Sequence, residues 1–151
     1  FKVISENFSE VFREMFGGGR AQLRLTDAAH VLESPIEIVA QPPGKNLQNM
    51  QLLSGGERAL TAIAILFSIL KMKPSPFCIL DEIDAALDDA NVSRYAQYLK
   101  KFAEETQFIV ITHRKGTMEH ADVLYGVTMQ EKGISKLISV DFSEAEKSIT
   151  A

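Results

Sequence analysis

Two short motifs bring together residues that could handle a phosphate group. The first is Ser54-Gly55-Gly56-Glu57, in which the serine can cap a helix and the glutamate, three residues later, completes a capping box. Capping alone leaves the two glycines unexplained, because a glycine inside a helix costs up to about 1 kcal/mol relative to alanine. Bare amide groups at a helix N-terminus, beside a serine hydroxyl, suit phosphate binding. We therefore favour phosphate binding over simple capping.

The second motif is a pair of carboxylates that follows a short apolar run. Phe77 to Leu80 has the composition of a strand buried on both faces in a parallel sheet. Asp81 and Glu82 come next, at the strand end where open α/β sheets bind ligands. Neighbouring strand residues point in opposite directions, so one carboxylate can hold Mg²⁺ while the other orients or deprotonates a water molecule. An ordinary acidic turn is the alternative, since three further aspartates follow: Asp84, Asp88 and Asp89.

Hydrophobic periodicity predicts the elements that precede and join these motifs. Apolar residues at helical spacing predict an amphipathic first helix, ended by the glycines at 17–19: Ile4, Phe8, Val11, Phe12 and Met15. Period-two alternation predicts a strand at 21–25, and a second strand at 36–40 is expected to pair with it antiparallel. The stretch from Ala59 to Leu70 suits a buried helix and is too short to cross a bilayer.

Downstream of the carboxylates, the pattern predicts a helix, a strand and a hairpin. Apolar spacing from Val92 to Ala103 indicates a helix laid on the sheet, and 108–111 a second buried strand. His113 follows that strand, a position where histidine is usually structural. Strands at 123–129 and 134–140 flank a turn of hairpin composition. Ser143 and Glu146 predict a capping box for a short last helix.

The order of these motifs resembles that of a known superfamily. The run at 53–57 is similar to the signature motif of ABC-type ATPases, 79–82 to their Walker B strand with its catalytic glutamate, and 85–88 to the D-loop. Within that superfamily, the residues at 16–19, 56–60 and 80–92 resemble structural maintenance of chromosomes (SMC) proteins, specifically the C-terminal half of the bacterial head domain. The resemblance runs from about Phe8 to Val140.

One motif that such an ATPase needs is missing from the sequence. Gly44-Lys45 fails the P-loop pattern, because Val39 stands where the first glycine belongs and Asn46 where serine or threonine is required. The resemblance explains the gap, since in SMC proteins the Walker A motif lies in the N-terminal half of the head, beyond a long coiled coil. The chain is then half of an active site and inactive alone, and the helix at 1–16 is where the coiled coil returns to the head.

The resemblance implies a role for each motif residue. Two heads enclose ATP, and Ser54-Gly55-Gly56-Glu57 of one head faces the γ-phosphate held by the P-loop of the other. Asp81 supports Mg²⁺, directly or through water, and Glu82 activates or orients the attacking water. His113 matches the H-loop histidine that contacts the γ-phosphate, which reverses the structural interpretation above, and Asp88 of the D-loop completes the site. ATP joins the heads and hydrolysis releases them, in a cycle that moves or clamps DNA during chromosome condensation and segregation.

Composition limits the class of protein. The 151 residues are 46% hydrophobic, enough for the core of one domain, and the net charge of −4 argues against general nucleic-acid binding. The single cysteine, Cys78, excludes a disulfide framework and fits a reducing compartment. The sequence shows neither a signal peptide nor a membrane segment, so we expect a cytoplasmic, nucleoid-associated protein.

Four partners follow from the resemblance: the N-terminal half of the same head, a second head, the winged-helix domain of a kleisin, and DNA. The candidate kleisin surface is 122–149, although an ordinary sheet edge is the alternative. A local DNA patch could form from five basic residues, unless they are only scattered solvated bases: Arg94, Lys100, Lys101, Arg114 and Lys115.

We therefore expect one α/β domain over 1–151, an ABC-type head lobe with a mostly parallel sheet flanked by helices and an antiparallel portion. Its parts are the junction helix at 1–16, a β portion and loop at 20–53, the motif core at 54–140 and a tail at 141–151. Two other functions stay open: a DNA-repair ATPase head of the RecN or double-strand-break type, and a non-catalytic interaction module.

Overall fold

A computed structural model describes residues 1–27 and 29–141 of the chain. The chain runs in the order α1 Lys2–Phe16, β1 Arg20–Leu25, β2 Ile36–Gln41, β3 Gln48–Asn49, a 3₁₀ turn Met50–Leu52, α2 Gly55–Met72, β4 Phe77–Asp81, α3 Asp89–Phe102, β5 Gln107–Ile111, α4 Lys115–Met118, β6 Val123–Glu131 and β7 Ile134–Asp141. The predicted alternation of helices and strands is confirmed. The motifs of interest lie at the start of α2 and at the ends of β4 and β5.

Helices α1, α2 and α3 form the core of the chain. The apolar stripe of α1 is fully buried, as the helical spacing predicted: Phe8, Val11, Phe12, Met15 and Phe16. The helix ends at Gly17, whose φ of 67° is left-handed, and the backbone N–H groups of Gly17 and Gly18 donate to the carbonyls of Glu14 and Arg13. This glycine C-cap satisfies carbonyls that the helix end would otherwise leave unpaired. The predicted first helix and its glycine stop are confirmed.

Polar contacts tie α1 to the other two core helices. Lys71 of α2 donates to Glu10 over 2.7 Å, and Lys101 of α3 donates to Glu14 over 2.8 Å. The hydrogen bond from Lys71 lowers the pKa of Glu10. Both ion pairs are largely exposed, so they contribute orientation more than stability.

The antiparallel portion is a three-stranded sheet in the order β1-β2-β3. Ala21 pairs with Ala40 and Leu23 with Ile38, which confirms the predicted pair. Gly19, with a φ of 77°, leads into β1 where a Cβ atom would lie 2.2 Å from the carbonyl oxygen of Gln41. No side chain fits there, so glycine is required at this corner between α1 and the sheet.

Strands β4 and β5 are parallel, with Leu80 opposite Val110. The core helices cover one face of this pair, and the ring of Phe67 on α2 packs edge-on against Phe108. The prediction that both strands are buried on both faces is wrong for the described part of the chain. Their other face is about half exposed: Phe77, Ile79, Ile109 and Ile111, at 55, 56, 49 and 50%. We call these four residues the open face; apolar composition predicted their type but not which polypeptide covers them.

The last described element is the predicted hairpin. β6 and β7 pair antiparallel with Val127 opposite Leu137, and Lys132-Gly133 makes the turn, where the glycine has a φ of 83°. Both strands extend one or two residues beyond their predicted ends. The predicted capping box of Ser143 and Glu146 lies outside the described residues. Within 1–27 and 29–141, no helix combines the length and apolar character needed to cross a membrane.

Candidate functional site

The carboxyl ends of β4 and β5 bring Glu82 and His113 together. The backbone N–H of Glu82 donates to the carbonyl of Ile111 over 2.9 Å, which extends the parallel pairing past β4. Oε1 of Glu82 lies 3.7 Å from Nδ1 of His113, and the two side chains are 60% and 63% exposed. This separation is longer than a hydrogen bond, so both groups stay available to a ligand. We call Asp81, Glu82 and His113 the catalytic edge.

Glu82 has an unusual backbone conformation. Its φ of 48° is positive, and no other non-glycine residue in the described ranges shares this feature. The left-handed region costs an ordinary residue roughly 1 to 2 kcal/mol. Backbone bonds hold the strained turn, including one from the N–H of Ala85 to the carbonyl of Glu82 over 3.1 Å. Strain of this kind concentrates at functional sites, where the surrounding structure aims one side chain.

Asp81 fits a magnesium ion that arrives with a nucleotide. It is the exposed last residue of β4. Among the described residues, no group of three or more histidine, cysteine, aspartate or glutamate side chains could form a metal cage. Mg²⁺ does not need one, because one or two carboxylates usually hold it together with phosphate oxygens and water. The assignment of Asp81 therefore stands as a chemically sound prediction.

The start of α2 shows both halves of the predicted capping box. The Ser54 hydroxyl accepts from the N–H of Glu57, while Oε2 of Glu57 accepts from the backbone N–H of Ser54. Oε2 also accepts from the Ser54 hydroxyl over 2.9 Å and from Lys45 over 2.9 Å. Burial alone would raise the pKa of Glu57, but the bonds from Lys45 and Ser54 outweigh it and lower the pKa. Capping is thus present, and it leaves the predicted phosphate role open.

The two glycines of the motif have different surroundings. A Cβ atom on Gly56 would lie 3.1 Å from Oδ2 of Asp88 and 3.4 Å from Nδ2 of Asn91, so close packing against the start of α3 explains this glycine. A Cβ atom on Gly55 would meet nothing within 4 Å. The described fold therefore gives no internal reason for glycine at position 55, whose backbone faces open space.

Asp88 connects the signature motif to α3. It is the N-cap of that helix, and its Oδ1 accepts from the N–H of Asn91 over 2.9 Å while its Oδ2 accepts from the side-chain amide of Asn91 over 3.1 Å. Gly56 lies against the same carboxylate, so the signature motif and the predicted D-loop are in direct contact. We call Ser54–Glu57 with Asp88 the signature end.

Two residues escaped the sequence analysis. Asp84, counted there as part of an acidic turn, is fully buried. Its side-chain partners, Thr112 and Thr117, lie 28 and 33 residues further along the chain, so no local pattern could reveal them. Lys45, from the loop that fails the P-loop pattern, pairs with Glu57. A lysine in a glycine-proline loop twelve residues from its partner carries no sequence signal of that contact.

Most of the predicted basic patch is paired with acidic residues. Four of its five side chains form ion pairs: Lys100 with Asp122, Lys101 with Glu14, Arg114 with Asp89 and Lys115 with Glu119. Arg94 donates to Asn91 over 3.4 Å. Partly neutralised bases attract phosphate less strongly than free ones, which favours the alternative of scattered solvated bases.

Comparison with known proteins gives the family. A family model described as "RecF/RecN/SMC N terminal domain" matches residues 4–136. A solved chain described as "Structural biochemistry of ATP-driven dimerization and DNA stimulated activation of SMC ATPases" is 45% identical with a TM-score of 0.86, over 99% of this chain and 90% of that one. The chain belongs to the SMC family. The family predicted from the motifs is confirmed.

Other SMC relatives define how much of a longer protein the chain represents. It is 69% identical over 147 residues to the "Chromosome partition protein Smc" of Bacillus subtilis, which covers 97% of this chain and only 12% of that protein. An SMC head bound to the C-winged helix domain of ScpA is 47% identical with a TM-score of 0.86, over 97% of this chain and 45% of the other. These head structures confirm the predicted α/β head architecture and favour the SMC assignment over the repair-ATPase alternative.

Proposed function

We propose that this chain is the C-terminal part of an SMC head that hydrolyses ATP once the P-loop half and a second head complete the site. The observation that carries this proposal is the meeting of Glu82 and His113, exposed and 3.7 Å apart, at the carboxyl ends of two parallel strands. The family description names an N-terminal domain. The motif order in this chain, signature then Walker B then H-loop with no P-loop before them, supports the C-terminal half instead.

The open face is the proposed seat of the P-loop half. Four large apolar side chains lie about half exposed on the two strands of a parallel pair, and parallel sheets are ordinarily covered on both faces. Because a complete P-loop ATPase needs a phosphate-binding loop, the segment that covers this face would also bring that loop to the catalytic edge. The predicted mostly parallel sheet would in addition require that the P-loop half supply strands parallel to β4 and β5, which are the parallel pair among the described residues.

The chemistry of each side chain at the catalytic edge indicates a different role for each residue. Glu82 would accept a proton from, or orient, the water that attacks the γ-phosphate, because its carboxylate is exposed and fixed by a strained turn. His113 would contact the γ-phosphate from the neighbouring strand. Asp81 would hold Mg²⁺, which when bound would neutralise charge on the phosphate oxygens.

The signature end would work on the nucleotide of the partner head. The open space at Gly55 and the exposed Ser54 leave the N-terminus of α2 accessible to a phosphate group. ATP bound to the partner would then join the two heads, and hydrolysis would separate them. The solved relative named for ATP-driven dimerization supports this cycle. In the complete protein the cycle would act in chromosome partition, in the cytoplasm and on DNA.

The predicted kleisin surface at 122–149 is proposed as the docking surface; the hairpin belongs to it, and residues 142–149 lie outside the described residues. The side chains of the hairpin include several exposed apolar residues, among them Tyr125 at 68% and Val127 at 70%. The SMC head solved with the C-winged helix domain of ScpA supports such a partner. Replacement of Val127 by Glu should weaken capture of the winged-helix domain without loss of ATP turnover. Normal capture of the winged-helix domain by this variant would show that the hairpin is not part of the kleisin interface.

Glu82→Gln in the complete protein is the principal test. The amide keeps the shape of the side chain but cannot accept a proton, so we expect ATP-dependent head dimers to persist while turnover falls to background. Phosphate release measures turnover, and size-exclusion chromatography with ATP measures dimers. Ser68→Ala, which removes a buried hydroxyl on α2 remote from this edge, is the matched control. Normal turnover by the Gln variant would contradict the proposal and favour a non-catalytic module.

Gly55→Ala tests the signature end separately. Since nothing lies within 4 Å of the new methyl group, the variant should fold with equal or slightly greater stability. We expect ATP-dependent dimers to weaken at least several-fold, because the methyl group would enter the space between heads. Unchanged dimer formation would show that the space at Gly55 is not an interface.

A further inference from the structure

The buried carboxyl group of Asp84 accepts hydrogen bonds from two residues that flank His113 in the sequence. Oδ2 of Asp84 accepts from the hydroxyl of Thr112 over 2.7 Å and from that of Thr117 over 2.5 Å. Thr112 immediately precedes His113, and Thr117 lies four residues after it in α4. The path of the backbone through His113 is therefore pinned at two points to a single side chain.

The same segment is also packed against the start of α3. The Thr112 hydroxyl accepts from the backbone N–H of Arg114 over 2.9 Å, and the Arg114 guanidinium donates to Asp89 over 2.8 Å. A Cβ atom on Gly116 would lie 2.9 Å from Cγ1 of Val92, so only glycine allows this approach. These contacts leave His113 exposed while the residues around it are fixed.

Asp84 is connected to both motifs that precede α3. It lies two residues after Glu82, and its carbonyl accepts from the N–H of Leu87 over 3.0 Å, in the turn that ends at Asp88. One hydrogen-bonded turn thus carries Glu82, Asp84 and Asp88 in succession. Any shift of this turn would reach His113 through the two threonine hydroxyls.

Stability alone does not account for a carboxyl group in this place. Asp84 is 0% exposed, and its Oδ1 has no hydrogen-bond partner among the described residues. Removing a carboxyl group from water without full pairing is unfavourable, and a leucine of similar size would fill the same volume without that cost. A group that fixes two hydroxyls in space offers what leucine cannot, which is directional bonding.

We infer that Asp84 is a positioning residue: through Thr112 and Thr117 it sets the place of His113 relative to Glu82, and so couples the D-loop turn to the catalytic edge. This inference rests on the proposed function. Asp84 itself does not touch the nucleotide. Its loss should therefore lower kcat and leave the KM for ATP unchanged.

The test uses the complete protein and two replacements of Asp84. Asp84→Leu removes both acceptor contacts, and we expect kcat to fall roughly 10- to 100-fold, the cost of a displacement of about 1 Å in a catalytic group. Asp84→Asn keeps one oxygen that can accept from both threonines, so it should restore most of the activity. Ser68→Ala serves again as the control for loss of a buried hydrogen bond.

A double-mutant cycle with His113→Ala separates positioning from general stability. If Asp84 acts through His113, Asp84→Leu should have no further effect on kcat in the His113→Ala background. Equal losses in both backgrounds, or equal losses in the Leu and Asn variants, would overturn the inference. If Asp84→Leu fails to fold, Thr117→Val replaces it in the same cycle with the same expected non-additivity.

Failure of the inference and failure of the proposed function give different results. If Glu82→Gln abolishes turnover and His113→Ala lowers it, but Asp84→Leu leaves kcat unchanged, only the inference is wrong. If Glu82→Gln leaves turnover intact, the proposed function itself fails, and the inference fails with it.

Discussion

The helical core and the open face are built from the same kinds of residue but meet different surroundings. Phe67, on α2, is 0% exposed and lies within 6.0 Å of three aromatic rings: Tyr98, Phe102 and Phe108. Ile79, on β4, is 56% exposed although its strand is equally apolar. The comparison teaches that an apolar pattern predicts the type of element and not the exposure of each side chain. It does not tell whether the cover comes from the same segment of chain.

The largest effect should come from an alteration of the core itself. Phe67→Ala removes a ring that joins α2 to α3 and β5, so we expect the free energy of unfolding to fall by about 3 to 5 kcal/mol. Urea denaturation followed by circular dichroism measures the change. Ile69→Ala, at a position on the same helix that is 43% exposed, is the control and should lose much less. An equal loss of unfolding free energy in Phe67→Ala and Ile69→Ala would contradict the difference between buried and partly exposed positions on α2.

The next largest effect should be a gain in stability, from the removal of a polar group that is buried in the core. The Tyr95 hydroxyl is buried and has no partner among the described residues, while burial and the nearby Asp84 raise its pKa and keep it neutral. Tyr95→Phe should therefore raise the free energy of unfolding by about 1 kcal/mol. Tyr98→Phe, whose ring is only partly buried, should change little. Destabilisation by Tyr95→Phe in the same denaturation assay would reveal a bond that the hydroxyl makes.

The open face should tolerate change in the chain alone but not in the complete head. Ile79→Thr should alter the stability of the chain by no more than about 0.5 kcal/mol, as at other exposed positions. In the complete head it should reduce association with the P-loop half, measured by co-purification. Leu80→Thr is the matched control, since Leu80 is 3% exposed on the opposite face and should already destabilise the chain. An equal loss of stability from Ile79→Thr and Leu80→Thr in the chain alone would show that the open face is buried there.

The smallest effect should come from the loss of the exposed ion pair between Lys45 and Glu57, which contributes less to stability than buried packing. Lys45→Met removes the bond that lowers the pKa of Glu57, so this pKa should rise toward its ordinary value of 4.5. A lowered pKa contributes stability above that value, and the contribution disappears as the pH falls through the folded pKa. The stability difference between the parent and the variant should therefore be present at pH 7 and disappear as the pH falls below 4.5 and through the lowered pKa of Glu57 in the folded protein. An NMR titration of Glu57 that shows no rise would contradict the ion pair.

Prediction from the sequence was most accurate where the residue pattern is typical of a single kind of secondary structure. The spacing of Phe8, Val11, Phe12 and Met15 predicted an amphipathic helix, and the glycines at 17–19 predicted its end; the structure confirms both. The carboxylate pair and His113 were found because strand ends are marked by where apolar runs stop. Their meeting across β4 and β5 follows from parallel pairing, which the pattern also predicted.

The features that the sequence did not reveal depend on contacts between distant residues. The burial of Asp84 is decided by Thr112 and Thr117, and the fixed position of Glu57 by Lys45. Ile79 and Ile109 are about half exposed although they belong to apolar strands, and the proposed P-loop half would cover them. In each case the residue type is visible in the sequence, whereas its environment is a property of the folded chain or of its partners.

The junction of α1 with the rest of the chain has a mechanical consequence. Its stripe of apolar side chains is buried in the core, Glu10 and Glu14 form ion pairs with α2 and α3, and the corner at Gly19 leaves no room for a side chain. A load applied along this helix would therefore not be absorbed by a flexible joint. It would pass to α2 and α3, against which α1 packs, and so to the start of α3, where Asn91 lies near Gly56 and Val92 near Gly116.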